Sequence, residues 1–248
     1  MSDYLHGQEP FNAVIVGSGA IGTALAETLL QRSELQHLII LQRSTAAVSQ
    51  DARVTRINFE AQQPDSIAEA GATAMECVDR VHLLVNTVGM LHSEQQQPEK
   101  SLRKVEVENL ERAFMINATL LPILAQAFAK LLRHDQPAVF ASLSARVGSI
   151  EDNNLGGWYS YRASKAAHNM LLRTIAQEWR VTHPNVTAVA LHPGTVQSPL
   201  SSPFITSGYR HIVHTPPECA EALLRVLGSL APQSSGRFYD WQGKTIPW

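Results

Sequence analysis

Short apolar runs bounded by turn residues recur along the chain at 13–16, 38–41, 54–57, 81–85, 138–142 and 186–191, and longer stretches with helical spacing separate them. The runs are rich in Val, Ile and Leu and do not alternate strictly with polar residues, as expected of strands covered by helices on both faces. Their alternation with helices predicts parallel pairing through right-handed crossovers. A seventh run, 237–241, follows a helical stretch at 217–230 and is expected to extend the sheet at its far edge. The predicted fold is α/β: a single doubly wound domain over residues 1–248, with a mostly parallel seven-stranded sheet and helices on both faces. No internal repeat or linker divides it.

Two stretches fit neither period. One is the glutamine-rich LHSEQQQPEKSL after the fourth strand, and the other is QSPLSSPFITSGYRHIVHTPP after the sixth. Both are expected to be loops beyond the carboxyl ends of parallel strands, where open α/β sheets bind ligands. The second is longer than ordinary connections, which suits a lid or a binding segment. In WYSYRASKAAHNMLLRTIAQEW, residues Ala163, Ala166, Ala167, Met170, Leu171, Thr174 and Ile175 recur at i, i+3, i+4 spacing. That spacing predicts a helix with one small-to-apolar face.

Composition narrows the partner. The chain has 248 residues, 44% of them hydrophobic, enough for a sizeable core. Its formal net charge is −2 with acidic and basic residues interspersed, which leaves no electrostatic footprint for nucleic acid or an anionic membrane. A small-molecule partner is expected. Cys77 and Cys219 stand far apart and outside any CxxC spacing, against a disulfide framework or a zinc site and in keeping with a reducing cytoplasm. The N-terminal MSDYLHGQEP lacks a basic segment followed by an apolar one, and nowhere do 18 consecutive apolar residues occur, so the protein is expected to be soluble and unexported.

The first strand runs into VGSGAIGTALAETLL, with Gly17, Gly19 and Gly22 in G-x-G-x-x-G spacing before an amphipathic helix. A glycine at the first position allows the tight turn, one at the second lets backbone approach a pyrophosphate, and one at the third lets the helix sit close to the strand. The free N–H groups of that helix, around Ile21 and Gly22, then face the phosphates. This is the start of a Rossmann dinucleotide-binding unit. At the end of the second strand, where an acidic residue would hydrogen-bond the ribose hydroxyls of NAD, stand Gln42 and Arg43. A guanidinium there suits a 2′-phosphate, so NADP(H) is favoured over NAD(H).

Tyr161 and Lys165 lie one turn apart on the long helix. A tyrosine has a reference pKa of about 10, too high for efficient proton exchange near neutrality, and a nearby positive charge lowers it. Lys165 supplies that charge, and its ammonium is placed to bond a cofactor ribose as well. Tyr159 lacks such a partner, because Ala163 stands four residues on.

Beside the glycine loop, VNTVG (85–89), INATLLP (116–122), SLSARVGS (142–149) and HPGTVQSP (192–199) follow in order at the ends of successive elements. This set resembles the short-chain dehydrogenase/reductase family over nearly the whole chain. Within it, SARVGSIEDNNLGGWYSYRASKAAHNML, ALHPGTV and the ending GRFYDWQGKTIPW are similar to the C-factor-like branch. The resemblance implies an NADP(H)-dependent carbonyl reductase with Tyr161 as general acid/base and Lys165 as its electrostatic partner and ribose ligand. Asn117 would help hold a proton-relay water near Lys165, and a serine after the fifth strand would orient the substrate carbonyl. Ser144, at the strand exit, is the choice over Ser142 inside the strand and Ser149 further along the loop. Asn86, Thr87 and Gly89 would stabilise the sheet and pass near the adenine ribose, with Phe59 or Glu60 bordering the adenine. Pro193 and Gly194 would shape a turn beside the nicotinamide, and Val196 and Ser198 would contact its carboxamide. A homo-oligomer, dimer or tetramer, is also implied.

The chain departs from the family in having one residue rather than three between the first two glycines, and in the segment before Tyr161, lengthened by EDNNLGG. No H-E-x-x-H and no G-x-S-x-G occurs, which disfavours a zinc protease and a serine hydrolase. The rival reading is an NADP(H)-binding redox sensor or C-factor-like signalling protein with little turnover.

Overall fold

The computed structural model describes residues 10–43, 51–94 and 96–248. The chain runs β1 (Phe11–Val16), α1 (Ala20–Leu30), β2 (Leu35–Gln42), β3 (Val54–Asn58), α2 (Pro64–Cys77), β4 (Leu83–Asn86), α3 (Val107–Phe114) and α4 (Leu120–Leu132). It continues through β5 (Ala138–Leu143), α5 (Tyr159–Thr182), β6 (Val186–His192), β7 (Thr195–Val196), β8 (Val213–His214), α6 (Pro216–Gly228) and β9 (Arg237–Asp240). Seven strands form one sheet in the order β3-β2-β1-β4-β5-β6-β9, and every pairing in it is parallel. Strand order reverses between β1 and β4, which opens a cleft at their carboxyl ends.

The absence of strict alternation in the strands has a direct cause. Successive residues of β1 enter two different cores: Val14 and Val16 face the side covered by α2, α4 and α5, while Ala13 and Ile15 face α1 and α6. Each core is closed by the apolar stripe of its helices, with Phe128 and Trp179 on one side and Leu25 and Leu223 on the other. A chain with both sheet faces covered needs apolar residues at every strand position.

α3 and α4 form one continuous rod through a π-turn at Met115–Thr119. The stretch Val107–Leu132 is long and apolar enough to cross a membrane, yet half of its most apolar window is buried in the fold, with Leu121, Leu124 and Phe128 in the core. The last helix begins one residue earlier than expected and carries a capping box: the Thr215 hydroxyl accepts from Glu218 N, and the Glu218 carboxylate accepts from Thr215 N. The loop at 197–217 is more ordered than its composition suggests, since β8 pairs with β7 and a helical turn forms at Ser202–Phe204.

α5 buries a different face from its small-to-apolar one. Its buried residues are Ser160, Ser164, Lys165, His168, Asn169, Leu172, Ala176 and Trp179. On the small-to-apolar face, Ala166, Ala167, Leu171 and Ile175 are partly buried, whereas Ala163, Met170 and Thr174 are exposed. The first half of the helix therefore turns its polar side inward, and this side carries the site.

Candidate active site

The phosphate loop follows from sterics. Gly17 adopts φ +102°, and a Cβ on it would meet Thr87 Oγ1 at 2.7 Å. A Cβ on Gly22 would lie 2.0 Å from the Gly17 carbonyl oxygen, so only glycine lets α1 start this close to β1. Thr87 ties the same turn from β4, its N–H and hydroxyl both donating to the Val16 carbonyl. Gly19 differs: its Cβ position faces open space, and α1 begins there without any side-chain cap. Uncapped N–H groups bordered by a bare glycine form a cradle for a phosphate. At the end of β2, the Gln42 carboxamide is buried with neither its oxygen nor its nitrogen hydrogen-bonded, and the exposed Arg43 follows. An open glycine cradle and an orphaned buried amide beside a guanidinium fit a dinucleotide phosphate.

Asn86 faces the sheet rather than the cleft. Its amide donates to Ser142 Oγ at 2.9 Å and its carbonyl oxygen accepts from Val88 N, which binds β4 to β5 and fixes the turn toward Gly89. Asn117 sits in the π-turn, and its carboxamide is heavily committed. Oδ1 accepts from Met90 N at 2.8 Å, while Nδ2 donates to Met90 O at 2.8 Å and to Ser164 Oγ at 3.0 Å. Its main-chain carbonyl accepts from His168 Nδ1 at 2.8 Å. Asn117 thus joins the loop after β4 to α5.

Lys165 is buried, and Nζ donates to the Leu143 carbonyl at 2.9 Å. Burial without an acidic neighbour lowers its pKa to about 8. Gly89 leaves room beside it, since a Cβ there would come within 3.4 Å of Nζ and 3.6 Å of Asn117 Oδ1. Tyr161 lies half-buried one turn before it. The expected lowering of its pKa is not found: burial raises the phenol above its ordinary value of 10.0. Nζ stands 6.0 Å from the ring centroid and points to Leu143, too far to offset desolvation. At neutral pH the phenol therefore holds its proton.

The three serines separate cleanly. Ser142 is fully buried in β5 and accepts from Asn86, while Ser149 is buried and accepts from Asp152 N. Ser144 lines the same cavity as Tyr161, with its hydroxyl donating to Asn169 Oδ1 at 2.6 Å. To donate to a ligand it must leave Asn169.

That cavity, about 830 Å³, lies between the β5 and β6 exits, the first turn of α5 and the 197–217 loop, and Ile21, Pro193, Gly194, Val196 and Ser198 all border it. Gly194, at φ +76°, turns the chain against Trp241, which a Cβ would approach to 3.0 Å. The Ser198 hydroxyl is within 3.2 Å of Ser201 Oγ. Glu60, exposed, and Phe59, buried in the core, are not among the residues that line this cavity.

Several contributors were not singled out in the sequence. Trp158 takes the left-handed conformation, φ 52°, and its ring lies 5.1 Å from Phe204 and 6.2 Å from Tyr161, forming an aromatic wall. Gly156 and Gly157, both at positive φ, were the available hint of an irregular helix entry. Arg146 pairs with Asp152 at 3.0 Å and Asp240 at 3.6 Å, and borders the cavity beside His192. Burial lowers the His192 pKa to about 4, so this wall is a neutral imidazole near neutral pH.

Comparison with known proteins identifies the family and the fold. The C-signal protein of Myxococcus xanthus is 33% identical over 172 residues, covering 69% of this chain and 95% of that one. The NADPH-bound carbonyl reductase from chicken fatty liver superposes with a TM-score of 0.85 at 24% identity, covering 100% of this chain and 98% of that one. Carbonyl reductase Sniffer of D. melanogaster gives a TM-score of 0.83 at 20% identity, covering 96% and 100%. These structural likenesses establish a shared fold. The family model for short chain dehydrogenases matches residues 12–206. An uncapped glycine cradle at the switch point, a buried Lys165 one turn after Tyr161, and that match together make this chain a member of the short-chain dehydrogenase family of oxidoreductases.

Proposed function

We propose that the protein is an NADP(H)-dependent carbonyl reductase in which Tyr161 is the general acid/base. The observation that carries this is a protonated phenol lining a cavity that Ile21 of the glycine loop borders, with the buried Lys165 Nζ 6.0 Å from the phenol's ring centroid. Gly17, Gly19, Ile21, Gly22 and Arg43 would hold the phosphates, and Thr87, Gly89, Lys165, Pro193, Gly194, Val196 and Ser198 the rest of the cofactor, with Asn86 fixing the turn behind them. Bound there, NADPH supplies a hydride to the carbonyl carbon.

In reduction, Tyr161 gives its phenolic proton to the developing alkoxide, and the Lys165 ammonium stabilises the phenolate left behind. A phenol raised by burial is a reluctant acid, so the Lys165 ammonium must move from Leu143 O toward the phenol oxygen to ease the transfer. Ser144 turns from Asn169 to donate to the substrate oxygen. Oδ1 of Asn117 keeps a second lone pair beside Nζ across Gly89, where a relay water would be held. Oxidation of an alcohol runs the same groups in reverse.

The substrate is a small carbonyl or alcohol compound, with neither nucleic acid nor membrane as partner. Two free cysteines suit a cytoplasmic setting. The exposed Phe114, Met115 and Met170 suit a homo-oligomer. The likeness to C-signal favours a second reading, an NADP(H)-binding signalling protein or redox sensor with little turnover.

Titration with NADPH and NADH, read by fluorescence or calorimetry, tests the cofactor, and a panel of aldehydes and ketones tests turnover. Tighter NADPH binding that Arg43→Ala weakens is expected. A clear NADH preference contradicts the role of Arg43, and NADPH binding without reduction of any carbonyl supports the second reading instead.

A further inference from the structure

We propose that Glu99 is a positioning residue that clamps the first turn of α5 and so sets the place of Tyr161. Glu99 lies in the loop between β4 and α3, far from α5 in sequence, yet it is 3% exposed. Its main-chain carbonyl accepts from Trp158 N at 2.6 Å. One carboxylate oxygen accepts from Ser160 N at 3.2 Å and the other from the Ser160 hydroxyl. Three donors from the residues just before Tyr161 therefore converge on one side chain and its own carbonyl.

The need for this follows from the helix itself. α5 opens without a side-chain cap of its own, since Trp158 occupies the N-cap position in the left-handed region. The free N–H groups of a first turn need acceptors, and a carboxylate there is favoured by the helix dipole. Glu99 supplies that acceptor from another segment. Lys165, one turn further on, is anchored independently: Nζ is held by Leu143 O, and its backbone packs so closely on Gly148 that a Cβ there would come within 2.7 Å of Lys165 Cβ. Tyr161 has no equivalent hold, because none of the described hydrogen bonds involves its phenol. Its distance from Lys165 and from a substrate oxygen thus depends on how the first turn is pinned. The same pin keeps the Trp158 ring against Phe204, so one residue sets both the proton donor and the aromatic wall.

The inference rests on Tyr161 being the proton donor, and the test separates the two ideas. Glu99→Ala is expected to lower kcat for NADPH-dependent carbonyl reduction by at least about tenfold, with NADPH affinity within roughly twofold of the parent, because misplacing a reacting group costs rate rather than cofactor binding. Its solvent deuterium isotope effect on kcat should rise as proton transfer becomes limiting. Glu99→Gln keeps an acceptor for Ser160 and should recover most of the rate. Without any ligand, amide hydrogen exchange over residues 158–165 should be about tenfold faster in Glu99→Ala and near-parental in Glu99→Gln. Unchanged exchange overturns the clamp, and faster exchange with unchanged kcat and isotope effect overturns the positioning role. If Glu99→Ala does not fold, Ser160→Ala carries the same comparison with a smaller loss of kcat expected. A parent that reduces no carbonyl contradicts the catalytic reading instead, and the exchange comparison still decides the clamp.

Discussion

The two faces of the first half of α5 are arranged against ordinary amphipathic logic. Inward it presents Ser160, Ser164, Lys165, His168 and Asn169, and outward it presents Ala163 and Met170, with Met170 64% exposed. Burying polar groups is costly unless they are paired. Here nearly every one is answered: Ser160 by Glu99, Ser164 by Asn117, Lys165 by Leu143, and Asn169 by both Ser144 and Gly148. His168 pairs through Nδ1 with Asn117 and leaves only Nε2 unanswered. Further along, Leu172, Ala176 and Trp179 provide the apolar anchoring. The helix thus divides its work along its length as well as around its axis.

The comparison is broken most severely at Lys165. Replacing it with methionine keeps the bulk and removes the ammonium, and kcat/KM for carbonyl reduction should fall by about 10²–10³-fold. In the parent, the charge is present below its lowered pKa of about 8 and lost above it. Steady-state kinetics across pH should therefore show reduction declining as pH rises through that value.

The next largest effect falls on stability. Asn117→Ala leaves the Met90 N–H and carbonyl without their side-chain partner and removes one of the two hydrogen bonds of the Ser164 hydroxyl, which still donates to Tyr161 O. Unfolding in urea should show a loss of about 3 kcal/mol, the cost of a few unanswered buried groups.

Acid should act gradually, on this face through His168 and on the cavity wall through His192. Burial lowers the His168 pKa to about 3 and that of His192 to about 4. The folded state then refuses protons that the unfolded chain accepts below about 6.5. Stability is fully present above that pH and declines as pH falls toward 4, by at most about 1.4 kcal/mol per pH unit for each histidine. Thermal melts at a series of pH values should show this, with a shallower decline in His168→Gln.

On the outward face, Met170→Ser should change monomer stability by no more than about 0.5 kcal/mol. A larger loss, with a change in sedimentation, would show that a second copy covers Met170.

The sequence made the frame legible because its signals are local. Strand runs, the glycine spacing and the four-residue step from Tyr161 to Lys165 each follow from a period or a short motif, and the sheet order matches them. The inward face of α5 was not legible, because apolar spacing identifies the buried side only when polar groups stay in water. The partners that overrule it, Glu99, Asn117, Leu143 and Ser144, come from loops and elements remote in sequence. β8 was missed for a different reason, since two residues are too few to show a period. The raised phenol was missed because a one-turn spacing suggests proximity, whereas the ammonium is drawn to Leu143.

The central claim is that this buried polar face exists to hold Tyr161 ready as a proton donor, and Tyr161→Phe tests it most directly. The substitution removes one hydroxyl that none of the described hydrogen bonds involves, so folding and NADPH affinity should match the parent. Reduction of a carbonyl that the parent accepts should fall by about 10²–10⁴-fold in kcat. Reduction that survives the substitution at the parental rate would contradict the assignment.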